Sequence, residues 1–138
     1  MAERSLLDVL RNRRPVTIAP NATVAEACQR MREHRVGAVL VTNPVGQLQG
    51  IFTGRDAVRT LAQATPADTP VRQAMTTAPC TMDARGTAIE ALRLMEDGGF
   101  RHVPVVEDDR VIGIVSWGDF RSAEHDRLET ELDYWQRI

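Results

Sequence analysis

The sequence predicts an α/β protein built from one unit used twice, with a helical tail. Three observations predict it. The run Gly50-Ile51-Phe52-Thr53-Gly54-Arg55-Asp56 returns as Gly113-Ile114-Val115-Ser116-Trp117-Gly118-Asp119, each closing on a hydroxyl residue with a carboxylate three positions later. A constant offset of 64 residues lays Thr17 on Thr81, Thr23 on Thr87, Glu26 on Glu90, Ala27 on Ala91 and Met31 on Met95. Inside each matched segment, apolar residues recur at helical spacing and then in short β-branched runs, the pattern of alternating helix and strand. Self-similarity at a fixed period organises the whole chain.

The elements follow in order. Ser5 to Leu10 predicts a short opening helix, and Thr17 the first strand. Thr23-Val24-Ala25-Glu26 predicts a capping box, in which the Thr hydroxyl accepts from a helix N–H and the Glu reaches back. Val24, Ala27, Cys28 and Met31 then fall at i, i+3, i+4 and i+7. Val36 to Val41 and Ile51-Phe52 read as strands around the turn Asn43-Pro44-Val45-Gly46, and Thr53 opens a closing helix.

The second copy runs the same way. Val71 to Met75 predicts its opening helix, and Thr87-Ala88-Ile89-Glu90 its capping box. Ala88, Ala91, Leu92 and Met95 form the apolar stripe, and Val103 to Val106 and Val111 to Val115 the strands, around Asp108-Asp109. A one-residue slip in that turn restores the register for Gly113 and Asp119, as loops tolerate. The predicted organisation is a first repeat over 5–61, a Pro-containing linker over 62–70, a second repeat over 71–124 and a tail over 125–138. From Ser122 on, the chain reads as one helix, with Leu128, Leu132 and Trp135 in register and Arg127 able to pair with Glu131. That helix serves either to pack on its own domain or to meet a partner, since Tyr134 and Trp135 are types enriched at interfaces.

Composition narrows the function classes. At 138 residues and 15.4 kDa the chain suits one compact module, and half of it would be marginal alone. A net charge of −2 with interspersed charges argues against a nucleic-acid surface. The apolar runs are far shorter than the roughly 18 residues a membrane span needs. The start, Met1-Ala2-Glu3-Arg4, lacks a secretory pattern, so a cytoplasmic location is expected. Cys28 reads as a reduced core thiol, and Cys80 lies at the start of a strand run, with no metal-binding spacing between them. All 17 basic residues are Arg, which removes Walker-A lysine, Schiff-base and lysine general-base chemistry together. Phosphate recognition would rest on Arg, His, backbone N–H groups and hydroxyls.

The doubled segments resemble two tandem CBS motifs, the regulatory repeats named after cystathionine β-synthase, which pair as a Bateman module. The resemblance covers about residues 5 to 124 and is sharpest in the Gly-apolar-x-Ser/Thr-x-x-Asp signature of both halves. It implies two βαββα repeats packed by their sheets with pseudo-two-fold symmetry, here followed by a C-terminal helix. It also implies adenosyl ligands in the clefts between the repeats, a regulatory and not a catalytic role, and a disc-like homodimer, the commonest closed symmetry.

The chemistry of the signature supports that implication. A hydroxyl where a strand meets a helix stands beside unpaired N–H groups and the positive end of the dipole, so Thr53 or Ser116 would suit a phosphate. An ionised Asp only accepts hydrogen bonds, and Asp56 or Asp119 would suit vicinal ribose hydroxyls. The same spacing is also an ordinary helix cap, and the two roles are compatible. By the family's architecture, one cleft would join Thr53 and Asp56 with Thr81, Arg101, His102 and Val103. The other would join Ser116 and Asp119 with Thr17, Ala22, Gly37, Ala38 and Val39.

The expected clefts differ. Arg101-His102 has no cationic counterpart at Gly37-Ala38, so the Asp56 cleft is expected to prefer AMP, ADP, ATP or NAD(H) as a regulatory ligand, and the Asp119 cleft to be weaker or to take a less charged adenosine ligand. The expected function is a stand-alone adenine-nucleotide sensor. The alternatives are an interaction module with degenerate sites and an S-adenosylmethionine sensor. A catalytic role is not expected: His34 reads as a surface residue at a helix end and His125 as part of an exposed tail, with no nucleophile–base pair evident.

Overall fold

The computed structural model describes residues 4–137, and of 133–137 the backbone alone. The elements in chain order are α1 (Leu6–Leu10), β1 (Thr17–Ile18), α2 (Val24–His34), β2 (Ala38–Thr42), β3 (Leu48–Thr53) and α3 (Gly54–Ala62). A 3-10 turn (Val71–Gln73) leads to β4 (Thr76–Thr77), β5 (Met82–Asp83), α4 (Ala88–Gly98), β6 (His102–Glu107) and β7 (Arg110–Ser116). A second 3-10 turn (Trp117–Asp119) precedes α5 (Ser122–Arg137). This is the α/β architecture expected, with two sheets, their helices and a C-terminal helix.

The chain forms two compact units whose membership crosses the sequence repeats. The first holds residues 14–80 and 107–111; the second holds 4–13, 81–106 and the described residues from 112 on. The opening helix α1 thus belongs with the body of the second repeat, and the segment 71–80 with the body of the first.

In the first unit, β1 pairs parallel with β2, β2 pairs antiparallel with β3, and β4 adds antiparallel to the far edge of β3. The capping box predicted at Thr23 forms: its Oγ1 accepts the Glu26 N–H at 3.1 Å, and Glu26 Oε2 accepts the Thr23 N–H at 3.2 Å. Val24, Ala27 and Met31 of α2 then meet Val39, Val41 and Phe52 in one core. The segment read as a linker is tied down, because Val24 and Ala25 donate their N–H groups to Thr69 O and Ala67 O at 2.9 and 3.0 Å. The opening helix expected at Val71 to Met75 is only a three-residue 3-10 turn. Pro70 at its N-cap provides no side-chain bond, and the chain continues directly into β4.

In the second unit the strand order is β5-β6-β7, with β5 parallel to β6. Leu6, Leu10, Leu92, Met95, Val103 and Val115 are buried together there. The Thr87 cap is only half of the expected box. Its Oγ1 accepts the Glu90 N–H at 3.3 Å, but the Glu90 carboxylate takes the Thr87 hydroxyl at 2.8 Å and not the backbone N–H. Along α5, Leu128 is buried and Leu132 packs on the same core, so this stretch of the tail serves its own unit. Arg127 pairs with Glu131 as predicted, at 3.6 Å. The interface reading of Tyr134 and Trp135 lies outside the described residues. Among the described residues, no helix is long and apolar enough to cross a membrane.

Candidate functional site

The first signature stands at the β3–α3 junction, where Thr53 leaves the sheet in extended conformation and caps α3. Asp56 is 3% exposed and its oxygens are occupied. Oδ2 accepts the Thr53 N–H at 2.9 Å and its hydroxyl at 3.2 Å, while Oδ1 accepts the Thr76 hydroxyl at 3.3 Å and pairs with Arg59 at 2.9 Å. The Gly54 N–H is spent on Gly37 O at 3.0 Å. A buried carboxylate is stable only when so satisfied, and the arrangement is a complete cap.

The second signature differs in ways the sequence did not announce. Ser116 does not open an α-helix: Trp117–Asp119 is a single 3-10 turn, ended by Phe120, which returns to extended backbone and buries its ring. The expectation of a helix-dipole anion site at Ser116 is corrected accordingly, because a lone turn sums few peptide dipoles. Asp119 Oδ2 accepts the Ser116 N–H at 2.8 Å. Its Oδ1 pairs with Arg13 at 3.0 Å, and the Asp119 side chain keeps 17% of its surface exposed.

Arg13 pairs with that carboxylate, and Arg101 and His102 stand nearby at the start of β6. The Trp117 N–H donates to Arg101 O at 2.9 Å, which joins the start of β6 to the end of β7. Arg101 is exposed, with its guanidinium carbon 5.6 Å from the centroid of the Trp117 ring, a cation–π contact. His102 is partly buried, and desolvation pushes its imidazole below the ordinary value. Asp119 opposes that shift and Arg101 adds to it. His125 is not the exposed tail residue expected. It lies against Trp117 with ring centroids 4.7 Å apart, and near Phe120 at 6.4 Å, because the buried Leu128 one turn on holds α5 against the unit. His34 is exposed at the end of α2, as read.

The other predicted residues divide between the units. Thr17, Ala22, Gly37, Ala38 and Val39 lie in the first unit with Thr53 and Asp56; Thr81, Arg101, His102 and Val103 lie in the second with Ser116 and Asp119. Val39 and Val103 are fully buried, main chain included, and Ala38 is nearly so. Thr81 and Gly37 are exposed, and Thr17 is partly buried on β1.

A cleft of about 400 Å³ in the first unit is lined by Ile18, Ala19, Ala22, Glu26, Gln29, Arg30 and Glu33. Two carboxylates against one guanidinium make it a poor phosphate site, and Ala22 is its one predicted member. Among the described residues no cluster of His, Cys, Asp or Glu could hold a metal ion.

Sequence reasoning missed Arg13, Arg59 and Thr76, the side chains that engage the two signature carboxylates. With the repeats aligned, Arg13 corresponds to Thr77, next to Thr76, so the opener of each repeat supplies a partner to the signature in its unit.

Comparison with known proteins bears on the family and the fold. The family model described as CBS domain matches residues 7–63 and again 68–126. The CBS domain-containing protein CBSCBSPB2 of Arabidopsis thaliana is 43% identical over 108 residues, 77% of this chain, and the chain spans about 20% of that relative's length. Among solved structures, the CBS domain protein PAE2072 from Pyrobaculum aerophilum, complexed with AMP, superposes with a TM-score of 0.82 at 27% identity. That match covers 91% of this chain and 98% of the other. The CBS domain pair of MJ0100, in complex with 5′-methylthioadenosine and S-adenosyl-L-methionine, gives 0.77 at 26% identity over 94% and 98% of the two chains.

Proposed function

Because this chain belongs to the CBS domain family, as a tandem pair of CBS domains, we propose that it is a regulatory module that binds an adenine nucleotide and signals through a change of shape or association. The observation that carries the reading is the chemistry at Asp119. A carboxylate with exposed surface, able to accept from a ribose, stands with Ser116 among Arg13, Arg101 and His102, which can meet a phosphate. Asp56 is sealed by Thr53, Thr76 and Arg59, so a ligand there would first have to displace bonds already made. The Asp119 signature is therefore the stronger candidate for AMP, ADP, ATP or NAD(H), and Thr53 with Asp56 the weaker one. The AMP complex of the Pyrobaculum aerophilum relative supports this ligand class.

Occupancy signals only if the ligand prefers one of two states, because equal affinity for both shifts nothing. A homodimer is part of the proposal. Val58 and Leu61, 68% and 83% exposed at i, i+3 on α3, offer apolar surface for pairing. Light scattering is expected to give twice the chain mass of 15.4 kDa.

The test is titration calorimetry with AMP, ATP, NADH and S-adenosylmethionine on the wild type, Asp56→Asn and Asp119→Asn. Loss of AMP binding in Asp119→Asn alone supports the assignment. Loss in Asp56→Asn alone moves the nucleotide to the first signature. Absence of binding by every compound leaves the interaction-module reading, which the two occupied caps favour. Selective binding of S-adenosylmethionine identifies the sensor as one for that metabolite, as the MJ0100 complex would suggest.

A further inference from the structure

The Arg13 guanidinium makes three contacts at once. Nη1 pairs with Asp119 Oδ1 at 3.0 Å, Nε donates to Leu10 O at 3.1 Å and Nη2 donates to Val9 O at 3.3 Å. The last two carbonyls belong to the final turn of α1, where helix acceptors lack intrahelical donors. Arg13 thus closes the end of α1 and holds the signature carboxylate with the same planar fork. Its side chain is 51% exposed, so the ion pair is of the weak, water-screened kind that a ligand can exchange.

We propose that Arg13 is a specificity-determining residue of the Asp119 site: a built-in competitor that penalises uncharged adenosyl compounds and favours those carrying a phosphate. This rests on the nucleotide reading above. A ribose that donates to Asp119 Oδ1 takes the acceptor from Arg13. A neutral nucleoside leaves that guanidinium without a counter-charge. A nucleotide brings its own anion, to which the released fork can turn in the paired geometry that guanidinium and phosphate share. In the first signature the position aligned with Arg13 is Thr77, and the guanidinium on the carboxylate comes instead from the helix neighbour Arg59, on an Asp56 that is buried and also bound by Thr76.

The experiment compares Kd for adenosine and for AMP on wild type, Arg13→Gln and Asp119→Asn. In Arg13→Gln the adenosine-to-AMP Kd ratio is expected to fall about two- to fivefold, roughly 0.4–1 kcal/mol at 1.4 kcal/mol per tenfold. Arg13→Lys, which keeps the charge but loses the fork, is expected to fall between, and carries the same comparison if the Gln variant does not fold. An unchanged ratio in both Arg13 variants, with both ligands weakened by Asp119→Asn, overturns the role of Arg13 and leaves the nucleotide reading intact. Wild-type affinities in Asp119→Asn, or no binding at all, overturn the site and this inference with it.

Discussion

Gly113 lies directly against Leu10: a Cβ at that glycine would stand 2.6 Å from Leu10 Cδ2 and 2.7 Å from Cδ1. At the matching glycine of the first repeat, Gly50, a Cβ would stand 2.5 Å from Met75 Sδ and 2.7 Å from the Thr76 carbonyl oxygen. Each signature glycine therefore clears room for an opening segment, which explains a feature that otherwise reads as part of a ligand motif. The two clashes differ in kind. Leu10 meets the new methyl with side-chain tips that can turn, whereas Thr76 meets it with backbone paired into β4.

Gly50→Ala is accordingly expected to destabilise by about 1–3 kcal/mol, the usual cost of overpacking, and Gly113→Ala by less. Urea unfolding of both variants measures this. Leu10→Ala in the Gly113→Ala background is expected to recover part of the loss as a coupling energy, and strict additivity would show that the contact is not the cause.

The two signature carboxylates should separate in stability as well as in ligand binding. Asp56 is buried and accepts from Thr53, Thr76 and Arg59, so Asp56→Ala leaves donors unsatisfied. It is expected to cost about 1.5–3 kcal/mol, the range for hydrogen bonds to charged groups. Asp119→Ala gives up one cap bond and an exposed pair, for about 0.5–1 kcal/mol. Equal shifts in urea midpoint for the two variants would contradict the difference in burial.

The repeat, the Thr23 cap and the apolar stripes of α2 and α4 were legible because they depend on spacings of three and four residues along one element. The partners of Asp56 and Asp119 were not. Thr76 lies 20 residues from Asp56 and Arg13 lies 106 from Asp119, and such contacts come from chain topology that local periodicity does not encode. The exchange of opening segments between the units was hidden for the same reason. The short turn after Ser116 was hidden by symmetry: aligning Ser116 with Thr53 implied a helix, but Phe120 has a core position to fill and pulls the backbone straight.

The two cysteines should react at different rates. Cys80 is exposed, whereas Cys28 packs against the core of the first unit and burial raises its thiol above the ordinary value. A thiolate-selective disulfide reagent at mildly alkaline pH is expected to give one fast and one slow phase, since the thiolate is the reacting form. Cys80→Ser should delete the fast phase only. A single rate for both thiols in the wild type would count against the partly buried position of Cys28.

Stability should fall on acidification in two separate windows. His102 titrates below its ordinary value of 6.5, chiefly because burial disfavours the charged form. Asp119 pulls the other way, and Arg101 lowers it further. Between that value and the folded one, the unfolded chain binds a proton that the folded chain refuses. His102 therefore contributes stability above about pH 6.5 that drains away as the pH falls towards its folded value. Glu124 is held below the usual carboxylate range, first by its hydrogen bond from Arg4 at 2.6 Å, and both side chains are largely covered. Its contribution is complete above the ordinary carboxylate value and is lost only as the pH falls through the lower, folded one. Urea midpoints from pH 8 to pH 3 are expected to decline in the histidine window and again in the carboxylate window. His102→Gln should flatten the first decline and spare the second, and Glu124→Gln should do the reverse. A His102→Gln profile that tracks the wild type between pH 7 and pH 5 would mean that burial of this imidazole is not coupled to folding.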